Sequence, residues 1–178
     1  MLTETLYMGQ FMGGKPGCGS DIERWGFYNA YDFKFPSENE LKHIQAIIIP
    51  GSNFSVRESD NKVSWVSALK DFIIKVYNNH PHVKILGICF GSQLVAEALG
   101  GHVEKMAYGR MFIGKESIEV TKNFFSYPPV QKIVDETCER SSVDKNILQV
   151  SLKQQVLPAC QIDHCSMIPK GAESLGAS

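Results

Sequence analysis

Two glycines flank Cys89 in the segment GICFG (residues 87–91), and this spacing limits the fold more than any other feature of the chain. An apolar run, Val83–Ile88, leads into the segment, and a helix-forming run, Ser92–Leu99, follows without a gap. A nucleophilic residue between two glycines, after a strand and before a helix, has the arrangement of a nucleophile elbow. The strand and helix backbones pass close together at such a turn, so side chains at the glycine positions would collide. The segment therefore predicts a strand, a sharp turn and a helix.

Three further segments place this turn within an α/β fold. The run Ala46–Ile49 is apolar throughout and ends at a Pro-Gly pair, which is typical of a strand buried on both faces. Apolar side chains recur at helical spacing over residues 65–76. Ser37 and Glu40 have the spacing of a capping box, which starts a short helix. This alternation predicts an α/β three-layer sandwich with a mostly parallel sheet and helices on both faces.

The remaining segments give weaker signals. The glycines between residues 9 and 19 indicate a loop, and residues 123–140 favour one helix. Three short runs are predicted to be strands: Trp25–Tyr31, Glu116–Val120 and Ile147–Leu152. The length of 178 residues suits one core, and the sequence contains no internal repeat or obvious linker. We therefore expect a single domain over residues 1–178.

Composition argues against several classes of function. The formal net charge of -1 gives no reason to expect a nucleic-acid partner or an acidic membrane surface. No apolar run approaches the roughly 20 residues of a membrane span, and no secretory signal opens the chain. The five cysteines are irregularly spaced, which favours reduced thiols and a cytoplasmic location. No side-chain cluster has metal-ligand spacing and no phosphate-binding loop is present, so neither a metal nor a cofactor is expected.

The elbow gives Cys89 a chemical role. A sulfur at a helix N-terminus lies at the positive end of the helix dipole, which favours the thiolate. The backbone N–H of Phe90 is then placed to stabilise an oxyanion. The alternative is that Cys89 is one more buried core cysteine. The flanking glycines, the strand–helix context and Gln93 one turn later favour the nucleophile.

The motif GICFGSQ resembles the nucleophile motif of class I glutamine amidotransferases, and IIIPGSNFSVRE resembles their oxyanion-strand motif. The segment WGFYNAYDFKFPSENELKHIQAIIIPGS resembles the γ-glutamyl peptidase branch of that family. The similarity continues through GGHVEKM and GKESIEV and ends in IPKGAESLGAS, so it covers nearly the whole chain. It is weaker over residues 123–155. The resemblance implies a flavodoxin-like α/β sandwich.

The resemblance also implies roles for five residues. Cys89 would attack the γ-amide of glutamine or of another small γ-glutamyl compound. Gly51 and Phe90 would offer backbone N–H groups to the oxyanion, Ser52 would line the pocket, and Gln93 would contact the γ-glutamyl group. The intermediate would be a γ-glutamyl thioester, resolved by water or by an amine.

The family places its catalytic base and orienting acid in a late Gly-His-Pro-Glu segment, and the sequence given ends before such a segment. The family's first strand is also expected before residue 1, so the resemblance implies a domain truncated at both ends. His102-Val103-Glu104 has the His-x-Glu pattern, but it lies where the family has an ordinary strand. His164, in a segment similar to the family's His-Gln-Asp-Glu-Val loop, is the remaining candidate base, although a surface position is the better expectation. His80 and His82 flank a turn and are expected to be solvated.

Three functional interpretations follow. The first is a cysteine-dependent amidase or γ-glutamyl peptidase. The second is an inactive, truncated paralogue that binds a ligand or a partner protein. The third is a redox protein with an oxidisable elbow cysteine, which a glutamate on the strand before the elbow would favour, but Ile85, Leu86 and Ile88 are apolar. A sheet lacking outer strands would also leave edges exposed, which predicts self-association.

Overall fold

The computed structural model describes residues 6–11, 23–57, 65–105, 112–161, 163–174 and 176–177. The chain divides into two units. Unit one contains Met1–Gly109 with Asp163–Lys170, and unit two contains Arg110–Ile162 with Gly171–Ser178. The chain therefore leaves unit one after Gly109 and returns to it at Asp163. Whether residues 1–178 behave as one domain stays a prediction.

Unit one contains a four-stranded sheet in the order β2-β1-β3-β4. Its strands are β1 (Leu6–Phe11), β2 (Glu23–Tyr28), β3 (Ala46–Ile49) and β4 (Lys84–Gly87). Strands β3 and β4 pair in parallel, and β1 is antiparallel to both of its neighbours. The α/β class is therefore confirmed, and so are the strands on either side of α2 (Trp65–Asn79). The described sheet is mixed, with one parallel and two antiparallel strand pairs.

The prediction of a loop at Gly9 was wrong, since Gly9 lies in β1. Its backbone aligns with Trp25 of β2 on one side and with Ala46 of β3 on the other. Pairing with two strands therefore outweighs the weak strand propensity of glycine. The other glycines of that stretch, from residue 13 to residue 19, lie outside the described residues.

The predicted helices of unit one are confirmed. They are α1 (Glu38–Leu41), α2 and α3 (Phe90–Ala98). Helix α2 buries one stripe of side chains, as its periodicity predicts. Helix α3 ends at Ala98, and Gly100 follows with a φ of 90°, which favours glycine. The core shared by α2, α3 and β3 is apolar and contains Ile47, Ile49, Leu69, Ile73, Val76 and Leu94.

The capping box at α1 forms as predicted. The Ser37 backbone N–H donates to Glu40 Oε2 at 2.7 Å, and the Ser37 hydroxyl donates to the same oxygen at 2.6 Å. Tyr28 donates its hydroxyl to Glu40 Oε1 at 2.7 Å. These hydrogen bonds, those from Ser37 above all, lower the pKa of Glu40 to about 2. Burial and the adjacent Glu40 carboxylate raise the pKa of Tyr28 to about 12.

Among the described residues, one face of β4 is exposed, which corrects the prediction that this strand is buried on both faces. Ile47 and Ile49 of β3 point into the core. The parallel register places Ile48 beside Leu86, on the opposite face. On that face Leu86 is 55% exposed and Ile88 is 51% exposed. The helices that contact β3 and β4 cover the core face, so the apolar run of β4 is half solvated.

Strands β5 (His102–Lys105) and β8 (Asp163–Met167) form a separate antiparallel pair in unit one. Glu97, near the end of α3, ties this pair to the helix. Its Oε1 accepts a hydrogen bond from the Val103 backbone N–H at 2.7 Å, and its Oε2 lies 3.3 Å from Lys70 Nζ of α2. The β5–β8 pair is thus anchored next to the elbow helix.

The described part of unit two contains a three-stranded sheet in the order β7-β6-β9 and three helices. The strands are β6 (Phe112–Val120), β7 (Gln154–Gln161) and β9 (Gly176–Ala177). The helices are α4 (Lys122–Ser126), α5 (Pro128–Ser141) and α6 (Lys145–Lys153). The predicted strand at Glu116–Val120 is confirmed as part of β6. No helix within the described ranges is long and apolar enough to cross a membrane.

Two predictions in unit two were wrong. Ile147–Leu152, predicted as a strand, lies in α6, because Asp144 Oδ1 accepts hydrogen bonds from the backbone N–H groups that start this helix. The single helix expected over residues 123–140 is two helices. The break falls at Tyr127, which is extended because the following proline disfavours a helical conformation.

Candidate active site

Cys89 lies between β4 and α3, as the spacing of the glycines predicts. Its φ of 54° and ψ of -114° are unusual for a residue with a side chain. The Cys89 carbonyl oxygen accepts hydrogen bonds from the backbone N–H groups of Ser92 at 3.0 Å and Gln93 at 3.1 Å, so Cys89 caps the helix. Its thiol is exposed. The elbow therefore presents the sulfur to solvent at the helix N-terminus.

The two flanking glycines are required by close backbone contacts. A Cβ atom at position 91 would lie 2.1 Å from the carbonyl oxygen of Ile49. A Cβ atom at position 87 would lie 2.5 Å from the backbone of Gly91. Both distances are far below van der Waals contact, so a side chain at either position would force the strand, the turn and the helix apart.

The structure brings Gly51 to Cys89. A Cβ atom at position 51 would lie 3.5 Å from the Cys89 Cβ and 3.9 Å from its Sγ. Phe90 is the first residue of α3, where a backbone N–H has no acceptor within the helix. The Ser52 hydroxyl oxygen accepts a hydrogen bond from the Phe54 N–H at 3.0 Å, which folds the loop after Gly51 into a turn. The residues expected to form an oxyanion site therefore lie on both sides of the thiol.

An aromatic cluster connects the elbow, the loop after β3 and the start of α2. The Trp65 ring packs 5.6 Å from Phe90 and 5.3 Å, edge to face, from Phe54. Trp65 and Phe90 are buried, and Phe54 and Tyr31 form the exposed end of the cluster. Rings from the elbow, the loop after β3 and the start of α2 thus hold these three segments at fixed separations.

Gln93 and Asp163 are joined inside the fold. Gln93 is 9% exposed, and its side-chain N–H donates to the Asp163 carbonyl oxygen at 2.6 Å. The Asp163 side chain, 4% exposed, accepts a hydrogen bond from the Ser55 hydroxyl. Sequence reasoning missed Ser55 and Asp163. The signals that pointed to them were their positions, Ser55 within the Pro-Gly-Ser loop segment and Asp163 beside His164.

The candidate base His164 points away from this cluster. Asp163 reaches Ser55 from one face of β8, and successive side chains of a strand point to opposite faces. His164 Nε2 accordingly lies 3.6 Å from Glu104 Oε1 on the paired strand. His102 Nδ1 lies 3.7 Å from Glu97 Oε1, so the His-x-Glu pattern of β5 does not form a dyad with its own glutamate.

The histidines around Pro81 contact residues of α1. His80 is 8% exposed and lies 3.1 Å from Glu38 Oε2, so the expectation that it is solvated was wrong. Glu38 of α1 pairs with both His80 and Lys75 of α2. His82 is exposed, as expected, with its ring 3.1 Å from the Leu41 carbonyl oxygen. Among the described residues, no group of three or more potential ligands could hold a metal ion.

A cysteine at the turn between a strand and a helix of a mixed α/β sheet, with the Pro-Gly-Ser loop beside it, defines the class of α/β proteins with a cysteine elbow. The model of the family Glutamine amidotransferase class-I matches residues 26–156, which is more than half of the chain. The chain therefore belongs to the class I glutamine amidotransferase family.

Its relatives include γ-glutamyl peptidases, in agreement with the branch that the sequence resembles. Gamma-glutamyl peptidase 4 of Arabidopsis thaliana is 32% identical over 113 residues, which cover 60% of this chain and 43% of that protein. Gamma-glutamyl peptidase 3 of the same plant is 30% identical over 105 residues, covering 59% of this chain and 40% of that protein. The chain spans less than half the length of these relatives.

A solved structure agrees with the fold. The crystal structure of SMU.1228c matches with a TM-score of 0.56 at 16% identity, covering 84% of this chain and 54% of that one. This likeness shows the fold alone. The flavodoxin-like α/β architecture implied by the sequence is therefore confirmed.

Proposed function

We propose that this chain carries the cysteine site of a γ-glutamyl hydrolase of the glutamine amidotransferase type. The observation that carries the proposal is the approach of Gly51 to an exposed Cys89 at the N-terminus of α3. An amidase needs a nucleophile beside oxyanion donors, and these two elements supply both. The similarity to γ-glutamyl peptidases supports the substrate class, a small molecule with a γ-glutamyl amide.

The reaction has two steps. The Cys89 thiolate attacks the γ-carbonyl carbon, the C–S bond forms, and the carbonyl oxygen becomes an oxyanion that accepts hydrogen bonds from the N–H groups of Gly51 and Phe90. The carbonyl re-forms as the C–N bond breaks, the leaving amine takes up the proton that the thiol gave up, and a γ-glutamyl thioester remains. Water or an amine then attacks the thioester carbon and the C–S bond breaks. The γ-glutamyl group leaves as glutamate or as a new amide, and the attacking molecule returns a proton to the Cys89 sulfur. Loss of one oxyanion donor typically removes about 2.7–4 kcal/mol of transition-state stabilisation.

The proposed reaction needs a base that takes the thiol proton, and the family resemblance implies a histidine–glutamate pair as that base and its orienting acid. Four histidines of the described ranges contact other groups: His80 with Glu38, His82 with Leu41, His102 with Glu97 and His164 with Glu104. General base assistance contributes about 10²–10⁴-fold. This observation favours a second candidate function, a module that binds a γ-glutamyl ligand without hydrolysing it.

Covalent labelling distinguishes these functions. A glutamine-analogue diazoketone carries the γ-carbonyl group that the proposed site recognises, and peptide mass spectrometry locates the modified residue. We expect modification at Cys89 in the wild type, none at this position in Cys89→Ser, and unchanged modification in Cys165→Ser, which removes another exposed thiol. A folded wild-type chain without a label at Cys89 would rule out the amidase site. Labelling without release of glutamate from γ-glutamyl anilide would favour the binding module.

A further inference from the structure

We infer that Asp163 is a positioning residue that fixes the oxyanion loop, residues 51–57, against the elbow helix α3. The inference deepens the proposed function and rests on it, because the geometry that Asp163 sets is that of the proposed oxyanion site. Asp163 belongs to β8, which follows the elbow by many residues in the sequence. The motif around Cys89 therefore does not predict its contact with the site.

Asp163 has hydrogen bonds to both elements that flank the thiol. Its side chain accepts from the hydroxyl of Ser55 in the oxyanion loop. Its backbone carbonyl oxygen accepts from the side-chain amide of Gln93 in α3 at 2.6 Å. Gln93 lies one helical turn after Cys89, and Ser55 lies four residues after Gly51. One residue therefore sets the separation between the loop and the helix.

The Ser55 hydroxyl also holds the end of the oxyanion loop. Its oxygen accepts a hydrogen bond from the backbone N–H of Arg57 at 3.2 Å while its proton goes to Asp163. The Ser52 hydroxyl forms the equivalent turn at the start of the loop, with the Phe54 N–H. The two consecutive turns connect Ser55, which Asp163 holds, to Gly51 beside Cys89.

The Asp163 carboxylate would not be expected at this position for stability alone. It is 4% exposed, and within the described part of the chain its buried Oδ1 has no hydrogen-bond partner. Arg57, the cation that pairs with it among the described residues, lies 4.0 Å from that oxygen, and its side chain is 43% exposed. A buried carboxylate with an incomplete set of hydrogen bonds costs free energy. Such local costs are concentrated at functional sites, which supports a positioning role.

Two reagents that react with Cys89 distinguish the positioning of the oxyanion loop from the general accessibility of the thiol. The glutamine-analogue diazoketone needs the oxyanion loop in place, whereas iodoacetamide needs only an accessible thiolate. The rate constants of both would be measured on the full chain for the wild type, Asp163→Asn and Ser55→Ala. Glu104→Gln is the matched control, because Glu104 lies on the paired strand and faces His164 rather than Asp163. Deuterium exchange of peptides over residues 51–57 provides a second readout.

We expect the ratio of the diazoketone rate to the iodoacetamide rate to fall by about 10- to 100-fold in Asp163→Asn and Ser55→Ala. Glu104→Gln should keep the wild-type ratio. Faster exchange confined to residues 51–57 in the two loop variants should accompany the change. Wild-type ratios in folded Asp163→Asn and Ser55→Ala would overturn the inference, and so would an equal fall in both rates.

The remaining outcomes are also decisive. If Asp163→Asn fails to fold, Ser55→Ala decides alone, because it removes only one partly buried hydroxyl. If the diazoketone does not label the wild type, the proposed function fails, and deuterium exchange still tests the positioning role. Exchange of residues 51–57 in Asp163→Asn that matches the Glu104→Gln control would then refute it.

Discussion

Replacing Gly91 with alanine is expected to destabilise unit one, although alanine is the better helix former. The added Cβ would lie 2.1 Å from the Ile49 carbonyl oxygen, whereas ordinary contact begins at 3.4 Å. The helix and strand β3 must therefore separate by more than 1 Å (3.4 minus 2.1). Overpacking of this kind costs about 3 kcal/mol. The gain from helix propensity is about 0.5–1 kcal/mol and has the opposite sign.

The net loss is about 2 kcal/mol, which lowers Tm by about 4–8 °C in a chain of this size. Circular dichroism in thermal unfolding measures it. Gly51→Ala is the matched control, because its Cβ would lie 3.5 Å from the Cys89 Cβ, an ordinary contact, and its Tm should equal that of the wild type. A Gly91→Ala protein that melts at or above the wild-type temperature would refute the reasoning, since helix propensity would then decide the outcome.

Three further perturbations test other parts of unit one. Because the pKa of Glu40 is lowered to about 2 from 4.5, its stabilisation is present above pH 4.5 and is lost as pH falls toward 2. The Tm difference between wild type and Glu40→Gln should shrink over that window, and a difference independent of pH would contradict this. Trp65→Ala removes the ring between Phe54 and Phe90 and should lower the free energy of unfolding, measured in urea, by about 3–5 kcal/mol. A decrease under about 1 kcal/mol would contradict a stabilising role of the aromatic cluster. Leu86 is exposed on β4, the outer strand of the described sheet, so Leu86→Lys should weaken self-association. The rise of the sedimentation coefficient with protein concentration should therefore be smaller in the variant than in the wild type. An equal rise in both proteins would refute association through this surface.

The sequence predicted the elements that local chemistry specifies. The glycines around Cys89, the Ser37 capping box and the apolar stripe of α2 each indicate one local structure, and each forms. The approach of Gly51 to Cys89 follows from the parallel pairing of β3 and β4, which the α/β pattern also predicts.

The wrong predictions have two physical causes. Either the local pattern fits two kinds of secondary structure, or the residues that decide the conformation lie far away in the sequence. The apolar run Ile147–Leu152 fits both a strand and a helix, and the cap at Asp144 decides the outcome. Gly9 is a strand residue only because two other strands pair with it. The bond between Ser55 and Asp163 joins residues separated by 108 positions, so periodicity and spacing carry no information about it.

The return of the chain to unit one has a consequence for how the site is built during synthesis. Asp163 lies 74 positions after Cys89 (163 minus 89), and residues 110–162 belong to the other unit. At about 5–20 residues per second, a ribosome completes the elbow about 4–15 s before it adds β8. During that interval β5 lacks its partner strand and Gln93 lacks its acceptor. The elbow helix is therefore synthesised well before the two contacts that hold it to β8 in the finished protein can form.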